Sequence, residues 1–74
     1  MLTISKILNE GEESITALLN NNETVLFNKV YEIDKKHMST YYLLESECMI
    51  YKATGVFDFP SGQLEEIFEI QRND

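Results

Sequence analysis

The 74-residue chain has no tryptophan, one cysteine, one proline and three glycines. A single cysteine excludes an internal disulfide framework, and it cannot build a zinc cluster by itself. The scarcity of proline and glycine, together with 43% hydrophobic residues, excludes a disordered tail or a low-complexity linker. We therefore expect one small globular domain over residues 1–74.

Long apolar runs and an excess of basic residues are also missing. No run reaches the ~18 residues of a membrane helix, and residues 1–6 lack the basic-then-apolar order of a signal peptide. These absences predict a cytoplasmic protein that binds no membrane. Six basic residues against thirteen acidic residues give a net charge of −7. Such a surface repels phosphates, so we expect no direct nucleic-acid binding and a protein partner with a basic surface.

The excess negative charge lies at the two ends of the sequence. Residues 1–23 carry one basic and four acidic residues, and residues 55–74 carry one basic and five acidic residues. The middle segment, residues 24–54, carries four of each sign. The ends are therefore the predicted acidic surface, and the alternative is an ordinary solvated surface.

The first segment has the spacing of an amphipathic helix. Its apolar positions fall within an arc of about 120° when each residue advances by about 100°. Thr3 is a suitable N-cap, and the asparagines at 20–22 favour a helix end. We expect one helix, or two short helices divided at Gly11. The positions in the arc are Ile4, Ile7, Leu8, Gly11, Ile15, Leu18 and Leu19.

From Thr24 the pattern changes to alternation, which is typical of a strand. Apolar residues alternate from Val25 to Ile33, Lys29 interrupts them, and a strand of about ten residues is expected. Residues 34–37 are predicted as a hairpin loop. Residues 38–53 are long enough for two strands, or one bulged strand, with the break at 45–47. Thr54-Gly55 is predicted as a turn before a short strand at 56–59.

Residues 61–71 fit two structures. A helix places Leu64, Ile67 and Phe68 on one face and the glutamates on the other, and this is the structure we expect. The alternative is a hairpin at 60–62 that leads into a final strand. The predicted fold class is therefore α+β: an N-terminal helix, an antiparallel meander of three to four strands, and a C-terminal helix, with a C-terminal strand as the alternative.

No arrangement of residues predicts catalysis. His37 follows two lysines and is expected to face water. Cys48 lies in an apolar stretch with no cation beside it, so we expect a buried thiol of structural role. The chain has no nucleophile elbow and no glycine-rich phosphate loop. We expect no enzyme activity, no catalytic residue, no cofactor and no metal site.

Protein binding is the function class that remains. Glutamates on the outer faces of the two predicted helices would form one acidic surface, and nearby aromatic residues would add short-range affinity. Tyr41 and Tyr42 are consecutive, so in a strand they point to opposite faces and one of them leaves the buried side. The predicted partner-binding residues are Glu10, Glu13, Glu65, Glu66, Glu69, Tyr41, Tyr42 and Phe59.

Two hypotheses follow for the kind of binding. The first is an inhibitor or antidote that covers a basic or nucleic-acid-binding site on a target protein. Small phage-encoded inhibitors, antitoxins and immunity proteins share this size and charge, which is a likeness of type only. The second is a small structural or adaptor subunit that homodimerises through its sheet and binds a partner by shape. A chain this short gains stability from oligomerisation, so the crowded tyrosines and the small core predict a homodimer built through a sheet edge or the open sheet face. Salt dependence separates the two hypotheses.

Overall fold

The computed structural model describes residues 1–72, in which every regular element is a β-strand. The strands are β1 (Ile4–Glu10), β2 (Ser14–Leu19), β3 (Thr24–Lys36), β4 (Ser39–Ser46), β5 (Tyr51–Asp58), β6 (Leu64–Ile67) and β7 (Gln71–Arg72). They form one antiparallel sheet in chain order, and β7 pairs with β5 beyond the end of β6. In the described range no helix could span a membrane. The α+β prediction is therefore wrong, and the fold is all-β.

The sheet curls until its first and last strands approach each other. The Ile70 N–H donates to the Leu2 carbonyl at 3.1 Å, and the Leu64 N–H donates to the Glu10 carboxylate at 3.0 Å. Between these two contacts β1 and β6 share no ladder in the described residues. The result is a nearly closed barrel with a seam between β1 and β6.

The barrel interior holds the hydrophobic core. Alternate residues of β2 supply part of it, because Ile15, Ala17 and Leu19 are fully buried while their neighbours are half-buried. Six partly buried apolar side chains pack against this core: Leu2, Ile4, Ile7, Tyr42, Leu64 and Ile67. The buried cluster is Ile15, Ala17, Leu19, Val25, Phe27, Leu44, Tyr51, Ala53, Phe57 and Ile70.

The predicted N-terminal helix is wrong because residues 4–19 form the β1–β2 hairpin. Register shifts occur in β1 between Ile4 and Lys6 and between Ile7 and Asn9. An extra residue in a strand resets its alternation, so Ile4 and Ile7 both face the core although they are three residues apart. That spacing imitates the i, i+3 pattern of a helix. Gly11 lies in the turn, where its N–H donates to the Ser14 carbonyl.

The predicted C-terminal helix is wrong for the same reason. Leu64 pairs with Phe57 and Ile67 pairs with Gly55, with a register shift between the two pairs. Leu64 and Ile67 therefore both pack against the core at a spacing of three. These residues form β6, which is the strand alternative, and the turn before it has Gly62 at a φ of 72°.

The alternation predicted for β3 holds only in its first half. Val25 and Phe27 are buried, but Tyr31 and Ile33 are exposed, because register shifts lie between Lys29 and Tyr31 and again after Glu32. The predicted loop at 34–37 is also wrong at its start, since β3 continues to Lys36. The turn that follows has His37 at a φ of 55°.

Gly55 lies inside β5, so the turn predicted at 54–55 is wrong. A Cβ atom at this position would lie 2.9 Å from Leu44 Cδ1 and 2.9 Å from Phe57 Cε1, which is too close for a carbon contact. Glycine is therefore required by packing against two core side chains, and its position in a strand interior marks a close approach.

We predict that Gly55→Ala destabilises the fold by about 1–3 kcal/mol, because the added methyl group overpacks the core. The free energy of unfolding in urea measures the effect. Gly11→Ala is the matched control, since the nearest atom to its Cβ would be Ser14 Oγ at 3.6 Å. Equal stability of the two variants would show that the core at Gly55 adapts without strain.

Candidate functional site

The outer surface of the sheet carries large apolar side chains in a row that crosses β3, β4 and β5 and ends at Phe68, which follows β6. Tyr31 on β3 pairs with Leu43 on β4, and Leu43 pairs with Thr54 on β5. The Phe68 N–H donates to the Thr54 carbonyl at 2.9 Å, which places Phe68 at the next position along this row. Strand pairing therefore brings Tyr31 and Phe68, which are 37 positions apart in sequence, onto the same surface.

Tyr41 joins this row from β4. Its ring centroid lies 6.4 Å from that of Phe68, with the two planes at 55°. Tyr31 is 67% exposed and Phe68 is 44% exposed. We call Tyr31, Tyr41, Leu43 and Phe68 the outer face. Aromatic side chains of this kind are the commonest anchors of protein interfaces.

Carboxylates border the outer face along the last strands. Glu66 pairs with Val56, which pairs with Tyr41, so Glu66 lies two strands from that ring. The Glu65 carboxylate accepts a hydrogen bond from the Ser39 hydroxyl at 2.9 Å, and Glu69 follows Phe68 and is exposed. Within residues 1–72 the ion pairs are Lys36–Asp34 and Lys52–Glu45, so these three glutamates have no basic partner there. Their negative charge is left to act on solvent or on another molecule.

A second feature is a cavity of about 720 Å³ at one end of the barrel, which we call the mouth. Tyr42 and Phe57 line it from the interior, where their rings meet edge to face at 5.5 Å. Lys29 and Lys35 line it from β3, and Thr40 lines it from β4.

The Lys29 ammonium is held in the mouth by two aromatic rings and a carbonyl. Its Nζ lies 4.1 Å from the Phe57 ring centroid and 5.2 Å from that of Tyr42, and it donates to the Glu12 carbonyl at 3.0 Å. Burial lowers the pKa of Lys29, while the Glu10 and Glu12 carboxylates partly oppose that shift. A cation over two rings is stabilised by their quadrupoles. This arrangement explains why a lysine interrupts the apolar alternation of β3.

The turn between β4 and β5 exposes the single thiol. Cys48 is exposed, and its sulfur lies 3.5 Å from the Ser46 hydroxyl. Hydrogen bonds from the Ser46 hydroxyl and the Ile50 N–H lower the pKa of the Cys48 thiol. The expected buried thiol is therefore wrong, because β4 ends at Ser46 and the chain turns outward before β5.

The predicted partner-binding residues divide between these features. Tyr41 belongs to the outer face, with Glu65, Glu66 and Glu69 beside it, whereas Glu10, Tyr42 and Phe59 line the mouth. Glu13 lies in the β1–β2 turn, where its carbonyl accepts from the Lys29 N–H. The predicted acidic surface on the outer faces of two helices is therefore wrong, because these glutamates lie on strands and turns of the barrel.

Sequence reasoning missed Tyr31, Leu43 and Phe68 on the outer face and Lys29, Lys35 and Thr40 in the mouth. The one available signal was Lys29, whose charge breaks an apolar pattern. The other positions depend on which strands are neighbours, and local sequence does not carry that information.

Comparison with protein families, curated proteins and solved structures finds no match.

We predict that Tyr51 makes stability fall at high pH. The Glu23 carboxylate accepts a hydrogen bond from the Tyr51 hydroxyl, and that bond together with burial raises the pKa of Tyr51. The folded state keeps the phenol proton above the ordinary pKa of about 10. The stabilisation is complete below that pH and is lost as the pH rises through the raised pKa.

Urea unfolding at pH values on both sides of about 10 tests this linkage. Tyr51→Phe, which has no proton to lose, should show a flatter fall in stability than the parent chain. Parallel profiles for the two proteins would contradict the role assigned to the Glu23–Tyr51 hydrogen bond.

Proposed function

We propose that this protein is a small acidic binding module that docks its outer face on a basic surface of another protein, in the manner of an inhibitor or antidote. One observation carries the proposal. Tyr31 and Phe68 are exposed and Tyr41 is half-buried against Phe68, and Glu65 and Glu66 nearby have no basic partner in the described chain.

The apolar part of the outer face supports binding through short-range contact. A contiguous group of large apolar side chains on a small protein marks an interaction surface more often than chance exposure does. The Tyr41 and Phe68 rings already touch, so they lose less conformational freedom on docking than isolated side chains would. These rings are the expected centre of the interface.

The charged part supports the choice of a basic partner. Glu65, Glu66 and Glu69 flank the rings, and the whole chain carries a net charge of −7. Such a field accelerates encounter with a positive surface and slows encounter with a negative one. Two copies of this chain would repel each other, which favours a foreign partner over self-association.

A crosslinking experiment identifies the partner before its affinity is measured. A photoreactive residue at Tyr31 should trap a protein whose contacted surface is basic, whereas the same residue at Lys6, on β1, should not. The Glu65→Lys, Glu66→Lys, Glu69→Lys triple variant should then bind the trapped protein with an association rate lower by about tenfold or more, because steering is lost.

The aromatic contribution is tested on the same complex. Phe68→Ala and Tyr41→Ala should accelerate dissociation, since truncating an interface anchor acts mainly on the off-rate. Met38→Ala is the matched control, because Met38 is an exposed apolar side chain in the β3–β4 turn and outside the outer face. If Met38→Ala weakens binding as much as Phe68→Ala, the outer face is not the interface.

The second candidate function, a homodimeric adaptor subunit, uses the same exposed rings. Light scattering at tens of micromolar separates the two candidates. The inhibitor proposal predicts a monomer mass of 8.6 kDa, which leaves the outer face open to a target. A doubled mass that Phe68→Ala returns to the monomer value would instead establish the adaptor candidate.

A further inference from the structure

The mouth contains a hydrogen-bond donor that the protein itself does not use. Thr40 is only 6% exposed and lines the cavity, yet its hydroxyl forms no hydrogen bond within residues 1–72. Every fully buried side-chain nitrogen or oxygen atom in the described chain has a hydrogen-bond partner. The Thr40 hydroxyl has none, so it is not fully buried and stays accessible from the cavity. A nearly buried hydroxyl without a partner is uncommon, and it fits a ligand that brings an acceptor.

The two lysines of the mouth add further unused donors. An ammonium group has three N–H donors, and the Lys29 ammonium uses one of them for the Glu12 carbonyl. The Lys35 ammonium lies 3.5 Å from the Phe59 ring centroid. Neither lysine belongs to an ion pair of the described residues. Both cations therefore face the cavity without forming an ion pair, and the Glu10 and Glu12 carboxylates act on Lys29 from a longer distance.

Carboxylates of the same cavity are also unengaged. Glu32 lies between Lys29 and Lys35 on the bulged half of β3, and Glu12 lies in the β1–β2 turn. Neither side chain forms a hydrogen bond or ion pair in the described chain, whereas the Glu10 carboxylate already accepts from the Leu64 N–H. The Asp58 carboxylate also lines the cavity and accepts from the Ser61 N–H and hydroxyl. The cavity thus presents two cations, two carboxylates that accept hydrogen bonds within the protein, and two that do not.

The presence of unpaired groups of both signs favours a ligand that carries both charges. A simple anion would meet Glu12, Glu32 and the negative field of the whole protein, and a simple cation would meet Lys29 and Lys35. A zwitterion can place each of its charges against the opposite one. The Thr40 hydroxyl, a donor beside the Tyr42 and Phe57 rings, then adds a hydrogen bond to the negative end.

We propose that the mouth binds a free α-amino acid. Its carboxylate accepts from the Thr40 hydroxyl and the Lys29 ammonium, and its ammonium group lies against Glu32 and Glu12. The apolar edges of Tyr42 and Phe57 receive the side chain. The cavity volume of about 720 Å³ is within the range of small-molecule sites. This site is separate from the outer face, so it does not depend on the function proposed above.

Amide NMR titration of the full chain tests the proposal. The standard amino acids are added singly at about 10 mM, which detects even weak complexes. At least one should give saturable shifts at Thr40, Tyr42 and Phe57, with no such shifts at Tyr31 or Phe68. Its N-acetyl form, which lacks the ammonium, and its amide form, which lacks the carboxylate, should each bind about tenfold more weakly or worse.

Inorganic phosphate is the probe for a different kind of site. If phosphate shifts the same amides at concentrations as low as the best amino acid requires, the mouth is a plain anion site and the proposal is wrong. The absence of saturable shifts with every amino acid also overturns it.

Two variants connect binding to the named groups. Thr40→Val removes the hydroxyl and keeps the shape, and Lys29→Met removes the charge and keeps the apolar stem. Each should weaken amino-acid binding about tenfold. Lys52→Met is the matched control, because Lys52 forms an outer-surface ion pair with Glu45 and should leave binding unchanged.

Amide spectra of each variant first establish that it is folded. Should Thr40→Val fail to fold, Lys29→Met and Lys35→Met decide the question. Unchanged affinity in folded Lys29→Met would refute the assigned carboxylate contact.

Discussion

Extra residues in the strands bend this sheet until the Ile70 N–H reaches the Leu2 carbonyl, and the rest of the structure depends on that curvature. A flat sheet of this size would bury one face only against a second layer, which the described chain does not have. The bulges in β1 and β3 instead let one sheet enclose its own core. Lys29 faces the interior by the same alternation as Val25 and Phe27, and the register shift that follows it turns Tyr31 toward solvent. The outer face is therefore a consequence of the bulge.

The same bulges explain which parts of the fold sequence reasoning could predict. Regular alternation was readable at Val25 and Phe27, where β3 is unbulged, and both residues are buried. The pattern was misread as helical where a bulge places two residues three positions apart on the core side of a strand. This occurs at Ile4 and Ile7 and again at Leu64 and Ile67. Period alone cannot separate a bulged strand from a helix over so few residues. Ile15, Ala17 and Leu19 alternate strictly, and this was the local evidence against a helix.

The candidate site was predictable only as far as neighbouring residues determine it. Consecutive Tyr41 and Tyr42 must point to opposite sides of a strand, and the structure places Tyr41 beside Phe68 and Tyr42 against Phe57. The proximity of Glu66 to Tyr41 is different, because two successive strand pairings, Tyr41 with Val56 and Val56 with Glu66, bring together residues that are 25 positions apart. Composition predicted an acidic surface, but only topology assigns glutamates to the margin of an aromatic one.

Alternation along β4 also separates the residues that hold the fold from those free to bind. Inward positions such as Leu44 are fully buried, so a change there removes core contacts and destabilises the barrel. Outward positions such as Tyr41 contact other outer-face residues, and exposed charges such as Glu66 contribute little to folding stability. The barrel can therefore carry an unpaired acidic margin and uncovered rings at small thermodynamic cost. Selection for stability does not require these exposed groups, which is the physical reason to ascribe them to binding.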